Sequence, residues 1–574
     1  FVSLTLSPAL AAILFRRDYE GVPRRSRMRR LLAVPVTAFF RAFNRGFDAL
    51  SRGYGRLIKR LARVSTLMLV VYAALIGATL WLLQSTPTGF IPPLDRGFAI
   101  VSVQLPPGAA LERTNQVMRR ANELVHSTLG VISTNVVVGR SGATFTAASS
   151  AGAIFVVLDS FENRSRQGLT VERVANEIRQ KLSREIQEAQ TFVIVPPPVR
   201  GIGSSGGFAM RLQDRAGIGS LELNRVAQEL IRAANARPEI VNTFTTFHTS
   251  TPQVFVDVDR TKARMLNVPI DNIFEALRIY MGSAYVNDFN MFGRTFRVTI
   301  QADGPFRLDV ENVGRIRVPN ADGEMVPLSS VATFREISGP DRVPRYNLFP
   351  TVEITGAGAP GVSSGQALEI MHEVAAEVLP EGVTYEWTDL SYQEVRAGRT
   401  GYYIFLLSVV FVFLALAAQY ESWSLPLAIM LIVPMCLLSA LIGVRLHAQD
   451  INILTQIAFV VLIGLAAKNA ILIVEFARQI EEQGKDRVTA AVEAGQLRLR
   501  PILMTSLAFT CGVLPLYFAS GAGAEMRIAL GTAVFWGMIG VTFFGLIFTP
   551  VFYVVVRGFA SRRKSAVTSP QPAE

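Results

Sequence analysis

Six blocks of this 574-residue chain stay apolar for longer than a soluble core requires. They run at about 400–418, 424–446, 451–478, 498–519 and 527–556, with one more at 65–84. Crossing a bilayer takes roughly 20 apolar residues in a helix. Lipid offers no partner to an open backbone N–H or C=O, so each block is confined to an α-helix. Composition agrees, since half the residues are hydrophobic and only 18% are charged, against about a quarter in soluble domains. An apolar piece from Phe1 to Phe15 is too short to cross alone and reads as the end of a truncated transmembrane helix.

The net charge of +12 is not gathered into one basic face, which argues against a nucleic-acid partner. Arg16, Arg17, Arg24, Arg25, Arg27, Arg29 and Arg30 follow the first apolar piece. Lys485, Arg487, Arg498 and Arg500 lie between two spans, and Arg557, Arg562, Arg563 and Lys564 follow the last. Basic residues mark the cytoplasmic side. The segments 16–64 and 558–574 are therefore expected there, the second as a disordered tail, and 85–399 on the far side. Within 35–63, Phe39, Phe43, Phe47, Leu50, Tyr54, Leu57 and Leu61 recur at helical spacing with arginines on other faces. That pattern fits an interfacial helix lying on membrane lipid, or one packed on protein.

The far-side segment has soluble character. Strand-like alternation at 98–105 is followed by helical spacing at 111–129, a strand at 154–158, a helix at 171–186 and a strand at 191–195. The order recurs with a strand at 208–213, a helix at 219–236 and strands at 241–247 and 253–258. Repeated β-α-β units predict split β-α-β, ferredoxin-like subdomains. The fold class expected is a membrane α-helical bundle with an α+β extramembrane domain. Pro196–Pro198 and the glycines of 201–207 mark a boundary.

Several chemistries find no support. Cys436 and Cys511 both fall in apolar spans without a metal or disulfide spacing, and the four histidines form no zinc motif. No phosphate-binding glycine loop is present, so ATP-driven work and bound cofactors are not expected. An enzyme reading fares worst, for want of a nucleophile–base pair.

One position stands out. The stretch Gly464-Leu-Ala-Ala-Lys-Asn-Ala-Ile-Leu-Ile-Val-Glu475 places Lys468 about ten residues inside an apolar run, roughly 15 Å by helical rise. A charged lysine at a span centre costs about 2.5–3.5 kcal/mol on insertion scales. It therefore needs a partner or neutrality, and no acidic residue of another span is an obvious candidate. Glu475 reads as an interfacial residue paired locally with Arg478.

Gly89-Phe-Ile-Pro-Pro-Leu-Asp-Arg-Gly97, Gly282-Ser-Ala-Tyr-Val-Asn-Asp-Phe289, Trp387-Thr-Asp-Leu-Ser-Tyr-Gln-Glu394, Tyr420-Glu-Ser-Trp-Ser-Leu-Pro426, the Lys468 stretch and Arg498-Leu-Arg-Pro-Ile-Leu-Met-Thr-Ser506 occur in this order. Together they resemble the resistance–nodulation–division efflux transporters, in the hydrophobe/amphiphile branch typified by acriflavine resistance protein B. The chain looks like the C-terminal half of such a protein. The resemblance implies two porter subdomains, 97–199 and 206–248 with 339–395, and a docking subdomain at 249–338. It implies a homotrimer in the bacterial inner membrane, a periplasmic adaptor protein, an outer-membrane channel, and the proton-motive force in place of a cofactor. Carried over by position, Lys468 is the counter-ion of paired aspartates on a span outside this chain, beside Asn469. Thr505 is a relay hydroxyl, with self-bonding to its own helix as the ordinary alternative, and Arg498 tunes the proton path.

In the family a glycine-rich loop divides the pocket for hydrophobic or amphiphilic substrates. The matching stretch is Gly139–Gly152, with Phe145 its one aromatic. Phe155, Val136 and Val138 match pocket positions nearby, or else form ordinary sheet core. The fragment alone is expected to be inactive. Two other readings stay open: a heavy-metal exporter of the same superfamily, for which Met210, Met265, Met281 and Met291 form no cluster in sequence, and a non-transporting membrane scaffold or sensor.

Overall fold

The computed structural model describes residues 5–14, 27–199, 201–203, 206–398 and 400–567. Arg16, Arg17, Arg24 and Arg25 thus lie outside the described residues. A short helix α1 (Leu6–Leu14) is followed by the long basic helix α2 (Arg27–Arg63) and the first span, α3 (Ser65–Ser85). Helix α2 begins eight residues before the expected 35, and only Val64 separates it from α3.

The chain then builds a first α/β lobe. Its elements are β1 (Phe98–Gln104), α4 (Leu111–His126), β2 (Val131–Arg140), β3 (Ala147–Leu158), the short α5 (Phe161–Arg166), α6 (Val171–Glu185) and β4 (Gln190–Ile194). The strands form one antiparallel sheet of order β2-β3-β1-β4. Strand periodicity divides β1. Ala99, Val101 and Val103 join Val117, Met118 and Val125 of α4 and Ile178 and Leu182 of α6 in the core, which leaves Ile100 and Ser102 on the opposite face. Gly152 is required on the core side, because any Cβ there would collide with the Met118 thioether.

A second lobe repeats the scheme with β5 (Phe208–Asp214), α7 (Ser220–Asn235) and β6 (Ile240–Phe244). An insertion follows before the lobe is completed. It contains β7 (Thr251–Val258), α8 (Arg260–Met265), α9 (Ile270–Leu277), the hairpin β8 (Ala284–Met291) and β9 (Arg294–Ile300), α10 (Val310–Gly314), β10 (Arg317–Pro319), β11 (Met325–Pro327) and β12 (Ala332–Gly339). Its stem pairs β7 with β12 from Thr251↔Gly339 to Val258↔Ala332. It has its own small core around Ala263, Ile273, Val318 and Leu328. The second lobe closes with β13 (Arg345–Tyr346), β14 (Phe349–Gly358), α11 (Ser364–Val378) and β15 (Val383–Trp387), giving the strand order β13-β14-β5-β15 with β6 also on β14.

Helix α12 (Asp389–Ala397) leads back to α13 (Thr400–Tyr420), α14 (Ser424–Met430), α15 (Val433–Leu446), α16 (Ile453–Glu482), α17 (Arg487–Tyr517) and α18 (Ala524–Val567). Counting α14 and α15 as one broken helix, six helices among the described residues are long and apolar enough to cross a membrane. The break at 431–432 is a departure from the expected continuous span at 424–446. Pro434 has no N–H to give to the Met430 carbonyl, and Met435 N–H turns to Ile432 O at 3.1 Å, which leaves the Leu431 carbonyl to accept from Tyr72 Oη on α3 at 2.7 Å.

Several helix ends differ from the apolar blocks. Helix α16 runs to Glu482 instead of 478, and α17 begins at Arg487 instead of 498. Charged residues do not end a helix; the turn does, at Gly484 with φ +92°. Residues 558–567 continue α18 instead of forming the expected disordered tail, and 568–574 lie outside the described residues.

The lobes meet the bundle at the turn between α15 and α16. Thr88 bridges Ile451 there, with Ile451 N–H donating to Pro87 O at 2.9 Å and Ile453 N–H to Phe90 O at 3.0 Å. Just beyond, Arg164 of the first lobe is 2% exposed and grips Asp95 in a two-pronged pair at 2.6 and 3.0 Å.

Candidate functional site

Helix α16 starts at Asn452, whose side chain accepts from Thr455 N–H at 3.0 Å. Ala458, Leu462, Ala466, Ala470, Ile473 and Ala477 recur at three- or four-residue spacing and are buried in the bundle. Small residues there let neighbouring helices approach closely. On another face Ile457, Val461, Gly464 and Lys468 are all exposed. Lys468 sits midway along α16, and its ammonium has no hydrogen bond or ion pair among the described residues.

The adjacent Asn469 turns about 100° round the helix and is buried, donating from Nδ2 to Ser506 Oγ of α17 at 3.1 Å. Ser506 was not singled out in the sequence; its signal was a second hydroxyl beside Thr505 inside an apolar span. Thr505 Oγ1 donates back to Ile502 O of its own helix at 3.1 Å, the ordinary alternative for a span threonine. Lys468, Asn469, Thr505 and Ser506 thus share one depth. Arg498 lies seven residues before Thr505, about 10 Å along α17. Its guanidinium carbon is 3.2 Å from the centroid of Phe476, and its Nε is buried without a partner among the described residues. The structure therefore separates Arg498 from the other three. Glu475 accepts from Gln479 Nε2 at 3.0 Å, while Arg478 pairs with Glu482 at 2.8 Å; the expected Glu475–Arg478 pair does not form.

The glycine-rich stretch forms the β2–β3 connection. Ser141 N–H donates to Thr146 O at 2.9 Å, and Phe145 takes a left-handed φ of +57° and stands 46% exposed. Gly142 covers the Ile100–Ser102 face of the sheet. Phe155 pairs with Ile100 and points to that same face, half-buried. Val136 and Val138 lie opposite Ile154 and Gly152 and pack on the helix-covered core. The four residues therefore divide between two faces. Arg342 of the second lobe ties the connection down through Thr146 Oγ1 at 2.6 Å, a contact that spacing in the sequence does not announce.

Between the lobes lies a cavity of about 560 Å³, lined among others by Phe90, Arg179, Phe208, Phe244, Glu394 and Asp450. Phe192 of β4 stacks on Phe244 of β6 with centroids 4.1 Å apart, so the lobes touch through aromatic surface. At the membrane end Ser364 Oγ accepts from Phe90 N–H at 3.1 Å and donates to Glu394 Oε1 at 2.8 Å. Burial pushes the Glu394 carboxyl up to about 7; the Ser364 bond lowers it and the charge of Asp450 raises it.

The description of the AcrB/AcrD/AcrF family matches residues 1–557. The chain is 37% identical over 580 aligned residues to the toluene efflux pump membrane transporter TtgB of Pseudomonas putida, covering 99% of this chain and 53% of that protein. It is 36% identical to the multidrug export protein AcrF of Escherichia coli (strain K12), covering 97% of this chain and 53% of AcrF. It is also 36% identical to the multidrug resistance protein MdtF of the same strain, covering 99% and 54%. The chain thus spans about half the length of these relatives.

Proposed function

This chain belongs to the AcrB/AcrD/AcrF family, and on that premise we propose that it forms one half of a proton-driven exporter of hydrophobic and amphiphilic compounds. The observation that carries the reading is Lys468: an ammonium at mid-depth, on a helix face that the described residues leave uncovered. An ammonium in hydrocarbon demands an anionic partner, and paired aspartates from a span outside this chain answer the demand. Protonating them removes the attraction to Lys468 and frees α16 to shift. Asn469 and Ser506 carry that shift to α17, with Thr505 as a relay hydroxyl and Arg498 nearer the basic end. Transport then couples inward proton movement to alternating porter conformations. The chain alone is inactive in this scheme.

In the same reading the protein sits in the inner membrane with 86–399 in the periplasm. Its two lobes are ferredoxin-like porter subdomains, and 249–338 docks toward an adaptor and an outer-membrane channel in a homotrimer. Phe145 and Phe155 face substrate, while Val136 and Val138 shape the sheet behind them. The inter-lobe cavity is of a size that suits drug-sized ligands, about 300–1,000 Å³. Phe145, Phe155, Val136 and Val138 are not among its lining residues, so it supports a ligand site between the lobes and not the role of these four. The names of relatives, toluene and multidrug pumps, point to the same compounds. The full-length protein expressed in an efflux-deficient strain tests the proposal. Raised tolerance to dyes, detergents and solvents is expected. Raised tolerance to copper, silver or zinc alone favours the heavy-metal branch, and no change favours the scaffold.

A further inference from the structure

Helix α2 has three distinct faces. Tyr54, Gly55, Ile58 and Ala62 lie against the bundle. Tyr54 Oη donates to Leu546 O at 2.8 Å, the carbonyl that Pro550 cannot satisfy one turn later. Gln496 Nε2 of α17 donates to Ser51 O at 3.2 Å. A second face carries Leu50 and Leu57, which are 54% and 45% exposed, and Val64, just past the end of α2 and 45% exposed, continues it at the same seven-residue spacing. The third is a ladder of exposed cations: Arg45, Arg52, Arg56, Lys59, Arg60 and Arg63. None of these six forms an ion pair among the described residues. The one acid between 40 and 63 is Asp48, which lies 4.0 Å from Arg500.

We infer that α2 is a docking surface for anionic phospholipid, with Leu50, Leu57 and Val64 seated at the headgroup–acyl boundary and the ladder binding headgroup phosphates. Two observations choose this occupant. Val64 is the single residue between α2 and the span α3, so the apolar face runs directly into a segment that enters lipid. The six unpaired cations are complementary to a phosphate surface, and arginine forks suit phosphate oxygens in pairs. An acidic protein partner would need to cover the leucine face as well, on the side where α3 meets the bilayer. The inference rests on the membrane reading of the helices and not on proton-driven export.

The test is contact quenching with the full chain reconstituted in vesicles. In Leu50→Trp, the fluorescence gained over the parent reports the lipid at this face. Brominated phosphatidylglycerol and brominated phosphatidylcholine are compared at equal mole fraction. We expect phosphatidylglycerol to quench about twofold more strongly, with the preference shrinking in high salt. In Leu50→Trp combined with Arg45→Gln, Arg52→Gln, Arg56→Gln, Lys59→Gln, Arg60→Gln and Arg63→Gln, both lipids should still quench, now to the same degree. Equal quenching before the six charges are removed overturns the inference, as does a preference that survives their removal. Absence of quenching by either lipid overturns it too, since the face is then covered by protein.

Discussion

Asn469 of α16 donates to Ser506 of α17 at 3.1 Å, while Lys468, its neighbour in sequence, faces away with no partner among the described residues. One residue pins two helices together, and the next presents a charge to whatever lies beyond them. That pairing of an anchored amide with an unanchored cation is the core of the proposed coupling.

The anchor has a measurable strength. Asn469→Ala leaves the Ser506 hydroxyl without its donor inside the bundle. Hydrogen bonds between spans average about 0.6 kcal/mol and reach about 1.7. A loss within that range is expected in detergent unfolding, and Ser506→Ala should lose about as much. Double substitution should cost less than the sum of the two, because one bond is removed in each case.

The first lobe hangs on a buried pair. Asp95→Ala strands Arg164 at 2% exposure, and breaking a buried pair from one side costs about 3–5 kcal/mol. The Glu162–Arg166 pair is exposed on both sides, so Glu162→Ala should change stability by less than about 1 kcal/mol. Unfolding midpoints of the two variants measure the contrast.

Glu394 sets a pH dependence at the junction of lobes and bundle. Its carboxyl is raised to about 7 by burial first, with the charge of Asp450 adding to it. Native protein therefore holds the proton more tightly than unfolded chain does. The contribution of this group to stability is fully present below the ordinary glutamate range and declines as pH rises to about 7. Glu394→Gln should flatten that decline, which thermal unfolding across pH 4.5–8 reads directly; an unchanged profile assigns the slope to other groups.

How far these arrangements were legible in the sequence follows from what each depends on. The six spans were visible because a run of apolar residues is a property of the chain itself. Their ends were not: α16 continues past the last apolar residues to Glu482, just before the turn at Gly484, and α17 starts in charged sequence at Arg487. The break in the third span was signalled by Pro434, but the tyrosine that satisfies the Leu431 carbonyl at the break comes from residue 72. Lys468 was conspicuous as a charge in the wrong solvent. Ser506 was not, since a serine in a span is unremarkable until a buried amide is found opposite it. Val136 and Phe155 looked alike as candidates, and only strand register sends one to the helix-covered core and the other to the opposite face.

Helix α2 offers a test of its docking to the bundle. Tyr54→Phe removes the hydroxyl that satisfies Leu546 O, and a buried unpaired carbonyl costs about 1–3 kcal/mol. Gly55→Leu should act more strongly, because even a Cβ at 55 collides with the Gln496 side chain. Protease cleavage between α2 and α3 should quicken in both variants, more so in the second.

Lys468 itself permits the most direct measurement. In inside-out vesicles carrying the full-length transporter, adding substrate should collapse a preformed pH gradient, and Lys468→Ala should abolish that substrate-dependent proton flux at normal expression. Proton flux that persists at the parent rate without the ammonium would contradict the coupling, and leave Lys468 as a structural charge alone.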